Sequence, residues 1–535
     1  MMQEESPSTA SGGIIARLFR LIPTETWILG LLGIAFYLVA RRPLKEWLPN
    51  EFAYDIVLRF RVPIAFGVAA LYAWSRHLKP LHLGPRKLVP GWFAEIALSL
   101  AAVFYIIIYD PIIYVDDVGF ILRYLDNFQE GCFYCFNMED GPVFGISSFI
   151  YGLLAGGLNW LHIMSPETSI NFLTYAGVFT TTFLLFRILR HIMTSQGAVF
   201  LMVLLILTCG KSVLFIFNSG MESPMHLSIV LAAFLFFLQK KDRWMWLFLA
   251  LATISKLDVV PLVLVIGLFW LIENFGELRH ISWRNPRYRH MILFGILPVL
   301  IWVGFALLVF GSPLPQSAYA KVYFHSHAKG TWFPFLDHFV KSNYRSPFLY
   351  TMLGLLLLQL IFALIRGKGG RQLVFGMSFI GTMTLYYFYN PGERMQWYYT
   401  LPETLMFTQL AISAYWLLSS LGKRWTTGLV GLVVGTTFLL SWTRQRIEVE
   451  VFRNYEYVVE TERTRIGEYL GSVISPQDTL LAGHGLNARH CKGYVIDQTG
   501  LNSRLMTQFE RKTDSVLKVL KPHWIVMHGW KWETP

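Results

Sequence analysis

The sequence predicts a polytopic α-helical membrane protein of about 13 membrane segments with a small α/β domain at its C-terminal end. Of its 535 residues, 54% are hydrophobic and only 15% are charged, and the mean hydropathy is +0.45. Apolar segments long enough to cross about 30 Å of hydrocarbon recur from about residue 22 to about residue 441. The last ninety or so residues lose this pattern, which predicts a separate domain there.

Residues 1–91 are predicted to hold an N-terminal tail and two membrane segments that precede the main membrane core. The tail, residues 1–13, is polar and slightly acidic, and no small-residue cleavage site follows the first apolar run. A secretory signal peptide has a basic start and such a site. We therefore expect the first membrane segment to remain in the mature protein.

Residues 92–442 are the predicted membrane core, and its basic loops predict its orientation. Lys and Arg cluster between apolar segments at residues 76–87, 240–243, 279–289, 366–371 and 423–424. Basic loops of this kind stay on the cytoplasmic side. The span that ends near Tyr109 then leads to a long external loop at residues 111–147. These loops explain the net charge of +12, so nucleic acid is not an expected partner.

The stretch from about residue 146 to about residue 209 holds three apolar segments, although the orientation of its two ends requires an even number of crossings. One of the three is therefore expected to be re-entrant or broken. Ala155, Gly156 and Gly157 form the expected break, because consecutive small residues weaken a helix.

Residues 443–535 are predicted to form a soluble domain outside the membrane. Apolar runs of strand length begin at Thr479, Tyr494 and Trp524, and helical stretches alternate with them. Such alternation is typical of a small α/β domain. A domain of this size buries only a modest core of its own, so we expect it to pack on the membrane part.

The adjacent pair Asp116 and Asp117 is the first candidate for catalysis. It follows the predicted span directly, where a hydrophobic helix ends and water begins. A carboxylate at this depth can act as a general base on a substrate whose head group lies in the lipid surface. The same pair would also stabilise the N-terminus of a following helix through the helix dipole. Both roles are compatible.

Four short motifs occur in order on the predicted outer side. They are DDVGFILRYLDNFQEG at 116–131, NSGMESP at 218–224, SKLD at 255–258 and GSPLPQSAYAK at 311–321. Together they resemble GT-C glycosyltransferases, most closely the terminal arabinofuranosyltransferases of mycobacterial cell walls, where the corresponding motifs read roughly DDAYIxxRYAxNLxxG, GMET, TRPE and GxxLPNxYxAK. Lys256 and Leu257 replace Arg-Pro, and Gln316 replaces Asn; these departures bear on the donor sugar more than on the reaction.

The resemblance implies an inverting glycosyltransferase that takes a sugar from a polyprenyl-phosphate donor. The acceptor would be a hydroxyl of a cell-envelope glycan, lipid or protein. The base would be a first-loop aspartate, with Asp116 as the first choice and Asp117 as the second. The protein would be a multi-pass component of the bacterial inner membrane, with its active site and C-terminal domain on the outer face.

A leaving phosphate requires a cation beside it. The outer loops offer Lys321, Arg394, Lys256 and Arg123 as candidates, and Lys321 is the first choice because it follows a Pro-rich turn. Each also has a structural alternative. Lys321 can lie along the lipid interface, and Lys256 can pair with Asp258. Arg394 can pair with Glu393, and Arg123 can form an ion pair inside the first loop.

Four further residues are expected to contact the substrate: Glu222, His325, Trp397 and Tyr398. Glu222 precedes a Pro-initiated apolar segment and can instead interact with the N-terminus of that helix. Trp397 and Tyr398 can instead belong to the aromatic belt at the membrane surface. Polar residues in the loops of the C-terminal domain are a further candidate set for acceptor binding, or only polar loop residues: His484, Asn487, Arg489, His490 and Asp497.

The external loop also contains Cys132 and Cys135. Three states are open to them: a disulfide, two free thiols, or ligands of a metal ion. An oxidising compartment favours the disulfide. No cofactor is expected from the sequence. Asp116 and Asp117 would suit a divalent ion, but no further ligands are evident.

Two other functions fit a membrane protein of this size. One is a transporter or flippase of lipid-linked sugars, and the other is a non-catalytic assembly protein that docks through its C-terminal domain. A transporter predicts internal repeats and charged residues in the middle of the bilayer. Here the ionisable residues lie at the outer ends of the predicted spans, which favours an enzyme.

Overall fold

A computed structural model describes residues 24–41, 67–73, 92–109, 112–209, 213, 216–278, 283–320, 339–340, 345–366, 370–389, 396–419, 425–434, 459–483, 485–503, 505–506 and 513–526. The chain divides into two compact units. One consists of Met1–Ala94, Met193–Leu205 and Ala414–Thr443, and the other of Glu95–Ile192, Ile206–Ser413 and Arg444–Pro535. Every described candidate site residue belongs to the second unit.

Helices dominate the described chain, because an apolar segment in a bilayer must satisfy all its backbone hydrogen bonds internally. They include Thr24–Arg41, Phe93–Tyr109, Asp116–Gln129, Phe149–Trp160, Pro166–Ile192, Gln196–Cys209, Ser223–Leu238, Asp242–Ser255, Val260–Leu278, Pro286–His290, Leu297–Phe310, Arg345–Arg366, Val374–Tyr389, Gln396–Ser419, Gly485–Ala488 and Thr513–Leu520. A π-helical turn, Met291–Ile296, joins two of them into one continuous helix.

Within the described residues, four helical segments are long and apolar enough to cross a membrane: Pro166–Ile192, Leu257–Glu277, Pro286–Phe310 and Pro347–Ile365. Four shorter apolar helices are Phe93–Ile107, Gln196–Leu207, Ser223–Leu238 and Trp425–Val434. The prediction of a polytopic α-helical membrane protein is thus confirmed. The number of about 13 segments stays a prediction.

The helix Phe149–Trp160 has 12 residues and, at 1.5 Å per residue, is too short to cross a bilayer. This fits the expectation that one of three apolar segments in this region does not cross. The expected break at Ala155–Gly157 is wrong, because the helix continues through these residues. Gly156 serves close packing instead, since a Cβ atom there would lie 2.8 Å from the ring of Phe128.

The helix Asp116–Gln129, called here the first-loop helix, begins with the two candidate aspartates. Carboxylates in the first turn stabilise a helix through its dipole, so the predicted structural role of the pair fits the observed position. Apolar residues recur along one side and are buried, as at Val118, Leu122 and Leu125. The chain leaves the helix at Gly131, whose φ of 93° suits glycine.

Strands and helices alternate near the C-terminus as predicted, and the sheet they form is small. Strand β1 is Thr479–Ala482, β2 is Tyr494–Asp497 and β3 is Trp524–Val526. The order is β2-β1-β3, and both pairings are parallel. Residues 459–473 are helical. Because Arg444–Pro535 belongs to the same compact unit as most of the membrane core, its existence as a separate domain stays a prediction.

The first-loop helix packs directly on the short helix Gly485–Ala488 that follows β1. A Cβ atom on Gly119 would lie 2.2 Å from the backbone nitrogen of Leu486, and one on Gly485 would lie 2.4 Å from the carbonyl oxygen of Asp116. Both backbones approach this closely only because neither glycine has a side chain. Around them, Val118 of the helix and Val495 of β2 share one buried apolar cluster.

Replacing Gly119 with Ala is expected to push the two helices apart and lower thermal stability, because a Cβ atom has no room there. The expected cost is about 1–3 kcal/mol. The matched control is Gly157→Ala in the helix Phe149–Trp160, where no atom lies within 4 Å of the new Cβ. That variant should be neutral or more stable, since Ala favours helix more than Gly does.

Thermal unfolding of both variants in the same detergent measures the difference. Equal unfolding temperatures for the two variants would contradict the close packing of the first-loop helix on Gly485–Ala488.

Candidate active site

A cavity of about 740 Å³ lies where the four sequence motifs meet. The first loop contributes Asp117 and Gly145, the second motif Glu222, and the third Lys256 and Asp258. The fourth motif contributes Leu314, Pro315 and Tyr319 to the lining. Later helices contribute Tyr386, Trp397 and Tyr398. Motifs up to about 200 residues apart in sequence therefore line one space.

Lys256 and Glu222 form a buried ion pair in the wall of the cavity. The distance from Lys256 Nζ to Glu222 Oε1 is 3.1 Å, and the two side chains are 11% and 5% exposed. Asp258 and Asp117 also lie close enough to stabilise the ammonium charge. The structural alternative for Lys256 was an ion pair with Asp258. Asp258 does lie near the ammonium, but the direct partner is Glu222.

Both members of this pair lie at helix boundaries. Glu222 occupies the N-cap position of Ser223–Leu238, but its side chain makes no capping hydrogen bond and binds Lys256 instead. Lys256 follows the last residue of Asp242–Ser255, where the chain becomes extended. Both charged residues thus lie at the ends of apolar helices.

Asp258 belongs to a second polar group in the same wall. Tyr386 donates a hydrogen bond from its hydroxyl to Asp258 Oδ2 at 3.1 Å, and His226 Nε2 lies 3.7 Å from Asp258 Oδ1. On its other side, His226 Nδ1 is 3.2 Å from the hydroxyl of Ser255, which in turn is 3.1 Å from that of Ser148. These contacts fix the Asp258 carboxylate on the cavity wall.

The two candidate bases have different surroundings. Asp117 lines the cavity beside the ion pair. Asp116 does not line it, and its Oδ1 accepts a hydrogen bond from the backbone nitrogen of Leu486 at 3.3 Å. Geometry therefore favours the second choice, Asp117, over Asp116 for contact with a substrate.

Arg123 does not lie at the cavity, which corrects its assignment to the donor phosphate. Its buried guanidinium donates hydrogen bonds to the carbonyl oxygens of Phe136, Ala488, Cys491 and Gly493 at 2.7–3.3 Å, and to Asn137 Oδ1 at 3.2 Å. The ion pair expected within the first loop is replaced by these contacts. Burial lowers the pKa of Arg123 from its ordinary value. The side chain joins the first-loop helix to the chain after β1.

Of the remaining predicted contacts, Trp397 and Tyr398 line the cavity. Tyr398 is buried and its ring packs edge-on against that of Tyr386. Three candidates, Lys321, His325 and Arg394, lie outside the described residues. Their roles stay predictions.

The polar residues near the C-terminus were candidates for acceptor binding or only polar loop residues. Those that the structure describes do not line the cavity. Arg489 forms ion pairs with Asp126 and Glu167, so it ties this segment to neighbouring helices. Asp497 is fully buried, and burial raises the pKa of its carboxyl group. Neither lines the cavity. His484 lies outside the described residues.

Leu501 and Asn502, in the loop after β2, do line the cavity, and sequence reasoning did not select them. The charged Asp497 before them is buried and does not line the cavity. Leu501 and Asn502 are neutral and belong to none of the four motifs, so the sequence carries no strong chemical signal for them.

Cys132 and Cys135 form a disulfide, the first of the three expected states. Among the described residues, no group of three or more His, Cys, Asp or Glu side chains is placed to hold a metal ion. The absence of a cofactor stays a prediction.

No family model matches the chain, and no curated protein matches it in sequence. Among solved structures, it is similar to ArnT from Cupriavidus metallidurans in the apo state, with 10% identity and a TM-score of 0.51. The match covers 80% of this chain and 90% of that one. At this identity the likeness shows the fold alone, and membership of the GT-C superfamily stays a prediction. The arabinofuranosyltransferase subgroup stays a prediction.

The buried pair yields a test of the electrostatics of the site. Lys256→Met removes the ammonium and leaves Glu222 buried without its cation, which is expected to cost about 3–5 kcal/mol of stability. Glu222→Gln should also destabilise, because it leaves the ammonium with a weaker partner. The double variant should recover part of the loss, since no unpaired charge remains from this pair, while Asp258 and Asp117 still lack the ammonium.

Thermal unfolding of the two single variants and the double variant measures the coupling. Additive losses would show that the two side chains do not depend on each other and would contradict the ion pair.

Proposed function

We propose that the chain is a GT-C membrane glycosyltransferase that transfers a sugar from a polyprenyl-phosphate donor to a hydroxyl of a cell-envelope glycan, lipid or protein. The reaction takes place on the outer face of the bacterial inner membrane. The fold shared with ArnT, itself a GT-C glycosyltransferase, supports this proposal. The apolar helices support a multi-pass membrane location.

One observation carries the proposal: residues from four separate motifs, chosen from sequence alone, line one cavity. Asp117, Glu222, Lys256 and Asp258 meet there, although 141 residues separate the first from the last. Charged groups are costly to bury and are retained in proteins mostly where chemistry or binding requires them. Their convergence beside apolar walls suits a substrate with a polar head and a lipid tail.

Asp117 is the proposed general base. Its carboxylate takes the proton of the acceptor hydroxyl while that oxygen forms a bond to the anomeric carbon of the donor. The bond from that carbon to the phosphate oxygen breaks, and its electron pair leaves with the polyprenyl phosphate. Attack from the face opposite to the phosphate inverts the configuration at the anomeric carbon.

Lys256 is proposed to support this base rather than to bind the phosphate alone. Its ammonium already pairs with Glu222 at 3.1 Å. The ammonium and the Asp117 carboxylate attract each other, so Lys256 helps to hold Asp117 at the cavity wall. Glu222 and Asp258 hold the ammonium in place, and Asp258 is itself held by Tyr386.

The phosphate then needs a further cation, because the described wall contains three carboxylates and one ammonium. Lys321 and Arg394 are the proposed partners. In the sequence, Lys321 follows the cavity-lining Tyr319 by two residues, and Arg394 precedes Trp397 by three. Trp397 and Tyr398 are proposed to contact the sugar or the first isoprene units.

The rival functions account less well for the cavity. A transporter would place ionisable groups in the middle of spans, whereas Glu222, Lys256 and Asp258 lie at helix ends. A docking protein needs no charged group in an internal cavity.

Asp117→Asn and Asp116→Asn form a matched pair of variants, because the residues are adjacent and the change is isosteric. Asp117→Asn should lower transfer by about 10²–10⁴-fold, the range for loss of a general base. Asp116→Asn should lower it less than about tenfold, since Asp116 contacts the backbone of Leu486.

The assay measures sugar transfer by the protein in lipid nanodiscs from a panel of synthetic polyprenyl-phosphate pentoses and hexoses. Near wild-type transfer by Asp117→Asn would disprove the assignment of the base. No transfer by the wild type from any donor would count against the proposed function.

A further inference from the structure

We propose that the loop Asp497–Asn502 forms the acceptor side of the cavity and that the side-chain amide of Asn502 binds a sugar hydroxyl of the acceptor. This inference rests on the proposed function and adds to it a specificity-determining residue from the C-terminal segment. Leu501 and Asn502 are the residues of this loop that line the cavity beside Gly145.

The loop is held in one conformation by a buried aspartate. The carboxylate of Asp497, at the end of β2, accepts hydrogen bonds from the backbone nitrogens of Thr499 at 2.9 Å and Asn502 at 2.8 Å. It also accepts one from Asn502 Nδ2 at 3.0 Å and one from the hydroxyl of Thr499. A buried carboxylate is costly unless its hydrogen bonds are made. Asp497 is therefore a positioning residue for Asn502.

The orientation of the Asn502 amide follows from this contact. Because a carboxylate accepts hydrogen bonds, the group that faces Asp497 is the amide nitrogen. The other atom, Oδ1, is directed toward Gly145, where a Cβ atom would lie 2.3 Å from it. No described residue donates a hydrogen bond to this oxygen. An amide oxygen without a donor in a residue that lines the cavity suits a ligand hydroxyl, since hydroxyls donate.

A second polar atom reaches the same point of the wall. The hydroxyl of Tyr124 is buried, has no hydrogen-bond partner among the described residues, and would lie 2.1 Å from a Cβ atom on Gly145. The Tyr124 hydroxyl and the Asn502 amide oxygen thus pack against Gly145, because glycine has no side chain there. Tyr124 does not line the cavity, so the ligand contact is assigned to Asn502.

The position of the loop assigns it to the acceptor rather than to the donor. A polyprenyl-phosphate donor enters from the lipid and is held by its tail along apolar spans. The loop belongs instead to the small sheet, whose described elements include no helix long and apolar enough to cross a membrane. The acceptor hydroxyl must approach Asp117, and Asp117 and Asn502 line the same cavity.

Saturation-transfer NMR on the full chain in lipid nanodiscs tests the proposal. The probes are soluble methyl pentofuranosides and methyl hexopyranosides. The wild type should bind at least one of them. Asn502→Ala should weaken that binding by about fivefold or more, as expected for one lost hydrogen bond.

Gly145→Ala displaces the Asn502 amide from the other side, because a Cβ atom there would lie 2.3 Å from the amide oxygen, so it should weaken binding even if Asn502→Ala fails to fold. The matched control is Asn285→Ala, at a helix N-cap outside the cavity, which should bind as the wild type does. Asp117→Asn should retain binding and lose transfer, which separates this proposal from that of the catalytic base. Unchanged binding by Gly145→Ala and by folded Asn502→Ala, or no binding of any probe by the wild type, would overturn the proposal.

Discussion

The buried ammonium of Lys256 makes it possible for carboxylates to gather at one end of an apolar helix bundle. Glu222, Asp258 and Asp117 would repel one another in a low-dielectric wall without a cation among them. The geometry meets this requirement with a direct pair at 3.1 Å between Lys256 and Glu222. Apolar helices begin or end at these residues, and this brings the polar groups together on one cavity wall.

A second constraint is the attachment of the C-terminal segment to the first-loop helix. Gly119 and Gly485 let the two backbones touch, and Arg123 bonds carbonyl oxygens on both sides of the contact. Asp116 adds a hydrogen bond to Leu486. The consequence is a division of roles within the aspartate pair: one residue fixes the C-terminal segment, and its neighbour lines the cavity.

Much of this arrangement was predictable from the sequence, because membrane helices and short motifs leave strong local signals. Apolar length predicted the spans, and the ordered motifs predicted that Asp117, Glu222 and Lys256 share a site. Other features depend on tertiary contacts that no local pattern encodes. The carbonyl partners of Arg123 lie up to 370 residues away, and Asn502 reaches the cavity only because Asp497 folds its loop. The prediction of a helix break at Ala155–Gly157 was wrong for the same reason, since Gly156 serves close packing against Phe128.

The central claim is that a sugar donor binds in this cavity with its anomeric carbon beside Asp117. An electron cryo-microscopy structure of the full chain in nanodiscs, with a non-hydrolysable polyprenyl-phosphonate sugar bound, tests it most directly. We expect the sugar between Asp117 and Tyr398, with room for an acceptor oxygen about 3–3.5 Å from the anomeric carbon and within hydrogen-bond reach of Asp117. A sugar bound outside the cavity, or beside Asp116 with Asp117 out of reach, would contradict the account.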